Sequence, residues 1–133
     1  MNRRKMMVTG ATVFASAAAL GGDLRAADNV CAETCAAGCG DCRTACLACV
    51  AECLNEEGRK ECIKLCLDCA DICAACDAIS ARKGRMAAAM MAVCADACDQ
   101  CATECEKHQD AACKACAEAC RACAKKCRET AKS

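Results

Sequence analysis

Residues 62–76 read CIKLCLDCADICAAC, and this stretch decides the fold. Its five cysteines follow one another in steps of four, three, four and three residues. An α-helix turns once every 3.6 residues, so steps that alternate between three and four keep all the thiols on one helix face. A β-strand would need steps of two. The stretch therefore predicts a helix that presents a continuous row of sulfur atoms.

The same spacing recurs in four blocks, which together hold all 21 cysteines of the chain. The residues between the cysteines are mostly strong helix formers such as Ala, Glu, Lys, Arg and Leu. We therefore predict four helices, at about residues 28–55, 57–80, 85–107 and 110–130. The blocks are Cys31, Cys35, Cys39, Cys42, Cys46, Cys49 and Cys53; Cys62, Cys66, Cys69, Cys73 and Cys76; Cys94, Cys98, Cys101 and Cys105; and Cys113, Cys116, Cys120, Cys123 and Cys127.

Short breaks separate the predicted helices, at residues 55–58, 80–84 and 108–110, and Asp110 is placed to cap the fourth helix. Short connections join antiparallel neighbours. We therefore predict an all-α fold, an antiparallel up-down-up-down four-helix bundle with a cysteine-lined core. Gly38 and Gly40 each cost about 1 kcal/mol of helix propensity relative to Ala, which leaves room for a kink or a late start of the first helix.

The composition of the 133-residue chain excludes a conventional core and a nucleic-acid partner. Pro, Trp and Tyr are absent, there is one Phe, and 18 basic residues balance 18 acidic ones. Nucleic-acid binding would need a basic patch, and single strands would need aromatic platforms for base stacking. Only ten Leu, Ile and Val residues follow residue 27, and none of them lies on the cysteine face. The interior is therefore predicted to consist of thiols.

Residues 1–27 differ from the rest of the chain, since a basic start with Arg3 and Arg4 precedes an alanine-rich, weakly apolar run without cysteine. We interpret this segment as a cleaved export signal of the twin-arginine type, cut near Ala26 or Ala27. The apolar run is shorter than the ~20 residues that span a bilayer, and no other segment could span one. Residues 28–133 are then an exported domain, in the periplasm or another extracytoplasmic space. Losing four of 18 basic and one of 18 acidic residues leaves 14 and 17, a net charge of −3.

Three interpretations of the cysteines compete. Small hydrophobic core residues would account for a few cysteines but not for 21 in register. A disulfide scaffold is common among exported cysteine-rich chains, but the odd count leaves one thiol over and the dense spacing defines no unique pairing. Soft-metal binding fits a row of aligned thiolates best. A disulfide-stapled or zinc-thiolate, metallothionein-like helical protein remains the alternative.

Among soft metals, the continuous row favours Cu(I). Zinc and iron–sulfur clusters need separate sets of four ligands, and a buried Zn²⁺ with four thiolates keeps a charge of −2. Cu(I) carries one charge, and bridging thiolates bring the ratio of metal to thiolate near one, so the interior stays almost neutral as it fills. We therefore expect multiple Cu(I) ions per chain, with all 21 cysteines as ligands.

The third cysteine row can be extended by further helical steps to both ends of the bundle. Three residues before Cys94 lies Met91, and three residues after Cys105 lies His108, the chain's one histidine. Both side chains are Cu(I) ligands in proteins, so we predict that they line the two ends of the interior. Antiparallel topology puts Met91 with Cys31, Cys35, Cys76 and Cys127, and His108 with Cys53, Cys62, Cys105 and Cys113.

The sequence argues against an enzyme, because a single histidine offers no acid–base constellation around a nucleophile. The C-x₂-C pairs do not follow a strand, as reactive redox pairs do.

Two apolar stripes run beside the cysteine rows, and they predict a homo-oligomer interface. The stripes are Leu47, Val50 and Leu54 on the first helix and Leu65, Ile72 and Ile79 on the second.

Residues 28–133 resemble the bacterial copper storage proteins, and the four ladders carry the resemblance, for example Cys62-x₃-Cys66-x₂-Cys69-x₃-Cys73-x₂-Cys76. With the pair Arg3-Arg4, the chain is similar to the exported branch of that family. The resemblance implies storage or detoxification of Cu(I) on the cysteines, a tetrameric assembly and an opening at one end lined by Met or His. In that family, stored copper can be passed on to copper enzymes, so the resemblance also offers such enzymes as recipients.

Overall fold

A computed structural model describes the backbone of residues 30–132 and the side chains of residues 38–132. These residues form four helices and no strand, which confirms the all-α prediction: α1 is Val30–Cys53, α2 is Lys60–Ala81, α3 is Ala87–Cys105 and α4 is Ala111–Lys132. None of these helices is both long enough and apolar enough to cross a membrane. The proposed export signal at residues 1–27 lies outside the described residues.

Successive helices run antiparallel, as the sulfur contacts between them show. As the residue number increases along one helix, the number of the residue that it contacts on the next helix decreases. The pairs are Cys42–Cys69 at 3.8 Å and Cys53–Cys62 at 3.7 Å for α1 and α2, Cys66–Cys105 at 3.8 Å and Cys73–Cys94 at 3.7 Å for α2 and α3, and Cys94–Cys123 at 4.0 Å and Cys101–Cys116 at 3.9 Å for α3 and α4. The up-down-up-down four-helix bundle is therefore confirmed.

The core is made of cysteine and alanine. All 19 cysteines with described side chains are at most 1% exposed, and alanines such as Ala95 and Ala102 fill the spaces between the helices. The larger aliphatic residues lie outside this core: Leu47, Leu54 and Leu67 remain 41–68% exposed. The helices therefore pack around thiols, as the composition predicts.

Gly38 and Gly40 do not delay the first helix, because α1 begins at Val30 and continues through both residues. A late start is therefore ruled out, and the predicted start near residue 28 is confirmed to within two residues. At Gly38 a Cβ atom would lie 2.9 Å from Cδ of Lys126 on α4, so the missing side chain allows this lysine to cross α1 closely. Tertiary packing against α4 outweighs the low helix propensity of glycine here.

Ion pairs join α3 and α4 on the outer surface of the bundle. Arg121 lies 3.1 Å from Asp99 and 2.6 Å from Glu106, and Arg128 also contacts Asp99. All four side chains are about one-third exposed or more. Solvent screening limits each such pair to about 0–1 kcal/mol. These surface ion pairs therefore contribute little to the stability of the bundle, which depends mainly on its interior.

Candidate metal centre

The 19 described thiols form one continuous array along the bundle axis, which we call the sulfur column. Each helix supplies a row of sulfurs, because its cysteines repeat every three or four residues on the buried face. A sulfur in the middle of the column contacts all three other helices. Cys42 Sγ lies 3.8 Å from Cys69, 3.7 Å from Cys98 and 3.5 Å from Cys120.

Within the column, sulfurs group in fours with one cysteine from each helix, and all atoms of a group lie within 4.8 Å of one another. Four of the groups overlap, each sharing two cysteines with the next, so this stretch of the column does not divide into separate sites. The groups include Cys39, Cys76, Cys94 and Cys127; Cys42, Cys73, Cys98 and Cys123; Cys42, Cys69, Cys98 and Cys120; Cys46, Cys69, Cys101 and Cys120; and Cys46, Cys66, Cys101 and Cys116.

The spacing of the sulfurs suits direct metal coordination. A metal–thiolate bond is about 2.3 Å long, so sulfurs around one ion lie about 3.8 Å apart in a tetrahedron and about 4.0 Å apart in a trigonal plane. Sulfurs in direct contact lie as close as 3.4 Å, many pairs lie near 3.8 Å, and all four sulfurs of a group lie within 4.8 Å of one another. The bundle therefore holds its thiols in a geometry that three- or four-coordinate soft ions can enter with small side-chain adjustments.

No described cysteine is engaged in a disulfide. Most sulfurs have several neighbours at nearly equal distances; Cys49, for example, lies 3.8 Å from Cys53, 3.8 Å from Cys62 and 3.4 Å from Cys113. A disulfide network requires one partner for each cysteine at a specific geometry. The column offers several equivalent partners instead, which favours shared metal ligands over fixed covalent pairs.

Burial changes the acidity of the thiols. Desolvation raises the pKa of Cys49 and of Cys62, and it raises the pKa of Cys113 to about 12, since a thiolate is poorly stabilised away from water. Hydrogen bonds act locally in the other direction. The bond from the Cys120 thiol lowers the pKa of Cys42 to about 6. Metal binding must therefore displace protons from thiols, with a positive ion replacing each proton.

One end of the column carries uncharged side chains, and we call it the Met91 end; the role of Met91 as a copper ligand stays a prediction. Met91 lies one turn before Cys94 on α3 and is 6% exposed, so it is buried at the predicted place. Ser80 is 2% exposed, and its Oγ lies 3.8 Å from Cys76 Sγ. Cys31 and Cys35, which we predict at the same end, have no described side chains.

The opposite end, which we call the Arg59 end, carries charged groups. Arg59 Nη1 lies 2.6 Å from Asp110 Oδ2, 3.4 Å from Cys113 Sγ and 3.7 Å from Cys53 Sγ. His108 follows α3 near this end, where its Nε2 lies 3.1 Å from Glu104 Oε2. Its imidazole lines a groove of about 460 Å³ together with Gln109, Lys114, Ala117, Glu118, Glu106 and Arg121. The structure thus pairs His108 with a carboxylate, and its role as a copper ligand stays a prediction.

Three residues at the column ends were not predicted as part of the site: Ser80, Arg59 and Asp110. Each lies on a cysteine row extended by one helical step. Ser80 follows Cys76 by four residues, Arg59 precedes Cys62 by three, and Asp110 precedes Cys113 by three. Extending all rows as the third row was extended would have found these residues.

A four-helix bundle with a continuous interior column of thiols defines a class of protein, one built to hold many soft metal ions. Comparison with known families supports the same class, since a family model described as copper storage protein matches residues 28–132. The chain belongs to the copper storage protein family.

Two solved structures are similar to this chain. The Cu(I)-bound copper storage protein BsCsp3 is 40% identical, with a TM-score of 0.73, over 76% of this chain and 98% of the other. The metal-free copper storage protein 3 of Bacillus subtilis is 42% identical, with a TM-score of 0.71, over 74% of this chain and 97% of the other. A comparison with curated protein sequences gives no match.

Proposed function

We propose that this protein stores Cu(I), holding many ions per chain on the thiolates of the sulfur column. One observation carries the proposal: four of the four-sulfur groups overlap by two cysteines, and Cys42 and Cys98, for example, belong to two groups at once. Shared ligands suit monovalent ions, because one Cu⁺ per thiolate leaves the buried column uncharged. The similar BsCsp3 structure is a Cu(I)-bound one. The role is binding and release, without catalysis.

Zinc storage on the same column is disfavoured by charge. Each unshared Zn²⁺ site with four thiolates carries −2, and several such sites stacked in one dry interior would repel one another. At one end of the column a single cation, Arg59, lies next to Cys53 and Cys113, and one such charge does not balance several dianionic sites. A column of Cu(I) thiolates avoids this repulsion without compensating side chains.

Titration of the reduced, metal-free protein with Cu(I) against a competing chelator tests the function. We expect tight binding of about one ion per thiol, because most thiolates bridge two ions. Saturation near four or five ions would contradict the proposal and point to separate zinc-like sites.

Mass spectrometry under non-reducing conditions tests the disulfide alternative. A mature protein isolated fully oxidised that takes up no copper would overturn the storage function.

We further propose that residues 1–27 direct export to the periplasm or another extracytoplasmic space through the twin-arginine route. Twin-arginine signals are read by a receptor, so Arg3→Lys with Arg4→Lys should retain the precursor inside the cell. Exported protein that still carries residues 1–27 would contradict the cleavage.

We also propose a homo-oligomer that passes copper to copper enzymes. Exposed Leu47 and Leu54 on α1 support the interface, and sedimentation of the mature protein tests it.

A further inference from the structure

Arg59 places one guanidinium nitrogen in contact with three other segments of the bundle. Its Nη1 donates to Asp110 Oδ2 at 2.6 Å, to Cys113 Sγ at 3.4 Å and to Cys53 Sγ at 3.7 Å. Cys113 Sγ in turn lies 3.9 Å from the same carboxylate oxygen. The side chain is only 13% exposed, although it carries a permanent positive charge. Such burial of an arginine requires the acidic partner that it finds here.

The position of this nitrogen is the next one along the sulfur column. Cys53 is the last cysteine of α1 and Cys113 is the first of α4, so their sulfurs are the last of their rows at this end. The two sulfurs lie 3.7 Å apart, and the nitrogen is as far from each as neighbouring sulfurs are from one another. A cation held by two sulfurs and one carboxylate oxygen therefore stands where an ion leaving or joining the column would pass.

Only the side chain of Arg59 has to move for that place to open. Its carbonyl oxygen accepts the backbone N–H of Ile63 at 2.9 Å, which fixes the main chain in the first turn of α2. The side chain itself makes one strong contact, the bond to Asp110, and its other contacts are weak N–H···S bonds. The main chain of Arg59 is thus fixed in the helix, while its guanidinium is held in place mainly by the ion pair with Asp110.

We propose that Arg59 is a gate: its guanidinium closes the Arg59 end of the sulfur column and must swing away from Asp110, Cys53 and Cys113 before Cu(I) can pass. The gate rests on the proposed storage of Cu(I). It changes how fast ions move and leaves the number of stored ions unchanged. Because Arg59 and Cu(I) are both cations, they exclude each other from this place, and each exchange event requires the ion pair with Asp110 to open.

Exchange kinetics of the full mature protein test the gate. In Arg59→Ala, we expect both Cu(I) uptake and Cu(I) transfer to a competing chelator to become about tenfold faster, which corresponds to a barrier lowered by ~1.4 kcal/mol. The capacity should stay at the wild-type value. Arg59→Lys keeps a cation but not the guanidinium fork, so its uptake and transfer rates should lie between those of the wild type and of Arg59→Ala. Unchanged rates in Arg59→Ala would overturn the gate.

The two rates together separate a gate from a change in affinity. Removing a repelling charge alone would speed uptake and slow release, since bound Cu(I) would be held more tightly. Faster uptake with slower release in Arg59→Ala would therefore contradict the gate. Arg128→Ala is the matched control, because it removes an arginine ion-paired with Asp96 and Asp99 on the outer surface. It should leave both rates at the wild-type value.

Thiol labelling of the metal-free protein provides a readout that does not depend on copper. With a small alkylating reagent, we expect Arg59→Ala to label Cys53 and Cys113 at least several-fold faster than wild type. Cys94 and Cys127, at the far end of the column, should keep their wild-type rates. Equal acceleration at both ends would mean that the substitution loosens the whole bundle, and it would overturn the gate. If the wild type bound no copper, the storage function would fail, and labelling would still report whether Arg59 closes this end.

Discussion

At the scale of single residues, the bundle uses one side chain for two purposes. A buried cysteine packs as a small apolar group, and its sulfur is also a soft ligand. The residue one helical step beyond the last cysteine of a row then determines where the sulfur column ends on that helix. On α2 that residue is Ser80, which differs from cysteine by one atom and lies 3.8 Å from Cys76 Sγ. The column therefore ends on α2 because the next side chain offers oxygen in place of sulfur.

Replacing this oxygen by sulfur should lengthen the column. We expect Ser80→Cys to raise the Cu(I) capacity by about one ion, because the new thiol lies at a buried position within contact of Cys76. Titration against a competing chelator measures the capacity. Thr44→Cys serves as the control, since Thr44 is exposed on the outer face of α1 and its new thiol should add no tightly held ion. Equal gains in both variants would mean that position within the column does not matter.

The residue types of the site were predictable from spacing, but the ends of the column were predictable only in part. Periodicity predicts a thiol face because a buried helix stripe follows the 3.6-residue turn whatever the rest of the fold is. It also predicts Met91, which is buried as expected. It does not predict that Asp110 meets Arg59, because the two lie in different connections and their 2.6 Å contact depends on how four helices end together. Nor does it predict that His108 contacts Glu104.

At the scale of the helices, the predicted ends lie within three residues of the observed ones. The remaining differences arise where turn chemistry determines the boundary. Helix α2 ends in a Schellman motif, with Gly84 N–H bonded to Ile79 O at 2.9 Å and Lys83 N–H bonded to Ser80 O at 3.1 Å. The residue with positive φ is Lys83, at +51°, although glycine follows it. The sequence indicates a break there but does not indicate which residue adopts the left-handed conformation.

Two glycines on α1 and in the connection after it should respond oppositely to alanine. Gly40 lies inside α1, and an added Cβ would meet no atom within 4 Å, so Gly40→Ala should stabilise the metal-free protein by about 0.5–1 kcal/mol. Gly58 has φ +72°, where a Cβ is strained, so Gly58→Ala should destabilise it by about 1 kcal/mol. Urea unfolding of both variants measures these changes, and shifts of the same sign would contradict the argument. Both variants should keep the wild-type Cu(I) capacity.

At the scale of the whole molecule, the interior has two states that respond differently to protons. Without metal, thiols such as Cys49, Cys62 and Cys113 stay protonated in the folded protein, because burial disfavours the thiolate and raises their pKa. In the loaded protein the same sulfurs are thiolates neutralised by metal. The unfolded chain is alike in both cases, with thiols of ordinary acidity exposed to water. The pH dependence of stability should therefore distinguish the two states, and its sign follows from which form binds more protons.

For the metal-free protein, burial raises the pKa of Cys113 from 9.0 to about 12. Between those values Cys113 binds a proton in the folded form but not in the unfolded form, so the stability that this thiol contributes is full below pH 9 and falls as the pH rises toward 12. The loaded protein has the opposite relation, because its folded thiolates bind no protons while unfolded thiols do. Its stability should rise up to about pH 9 and then level off.

Unfolding in urea at pH 7, 9 and 11, under anaerobic and reducing conditions, measures both dependences on the same chain. We expect the free energy of unfolding of the metal-free protein to drop between pH 9 and pH 11 while that of the loaded protein does not. Titration of surface lysines acts on both forms alike, so it cancels in the difference between them. A parallel fall in both forms would mean that copper does not sit on the buried thiolates. Divergence above pH 9 would instead tie the stability of the loaded bundle to metal bound in its interior, because only ligated sulfurs are protected from the cost of ionising in a dry core.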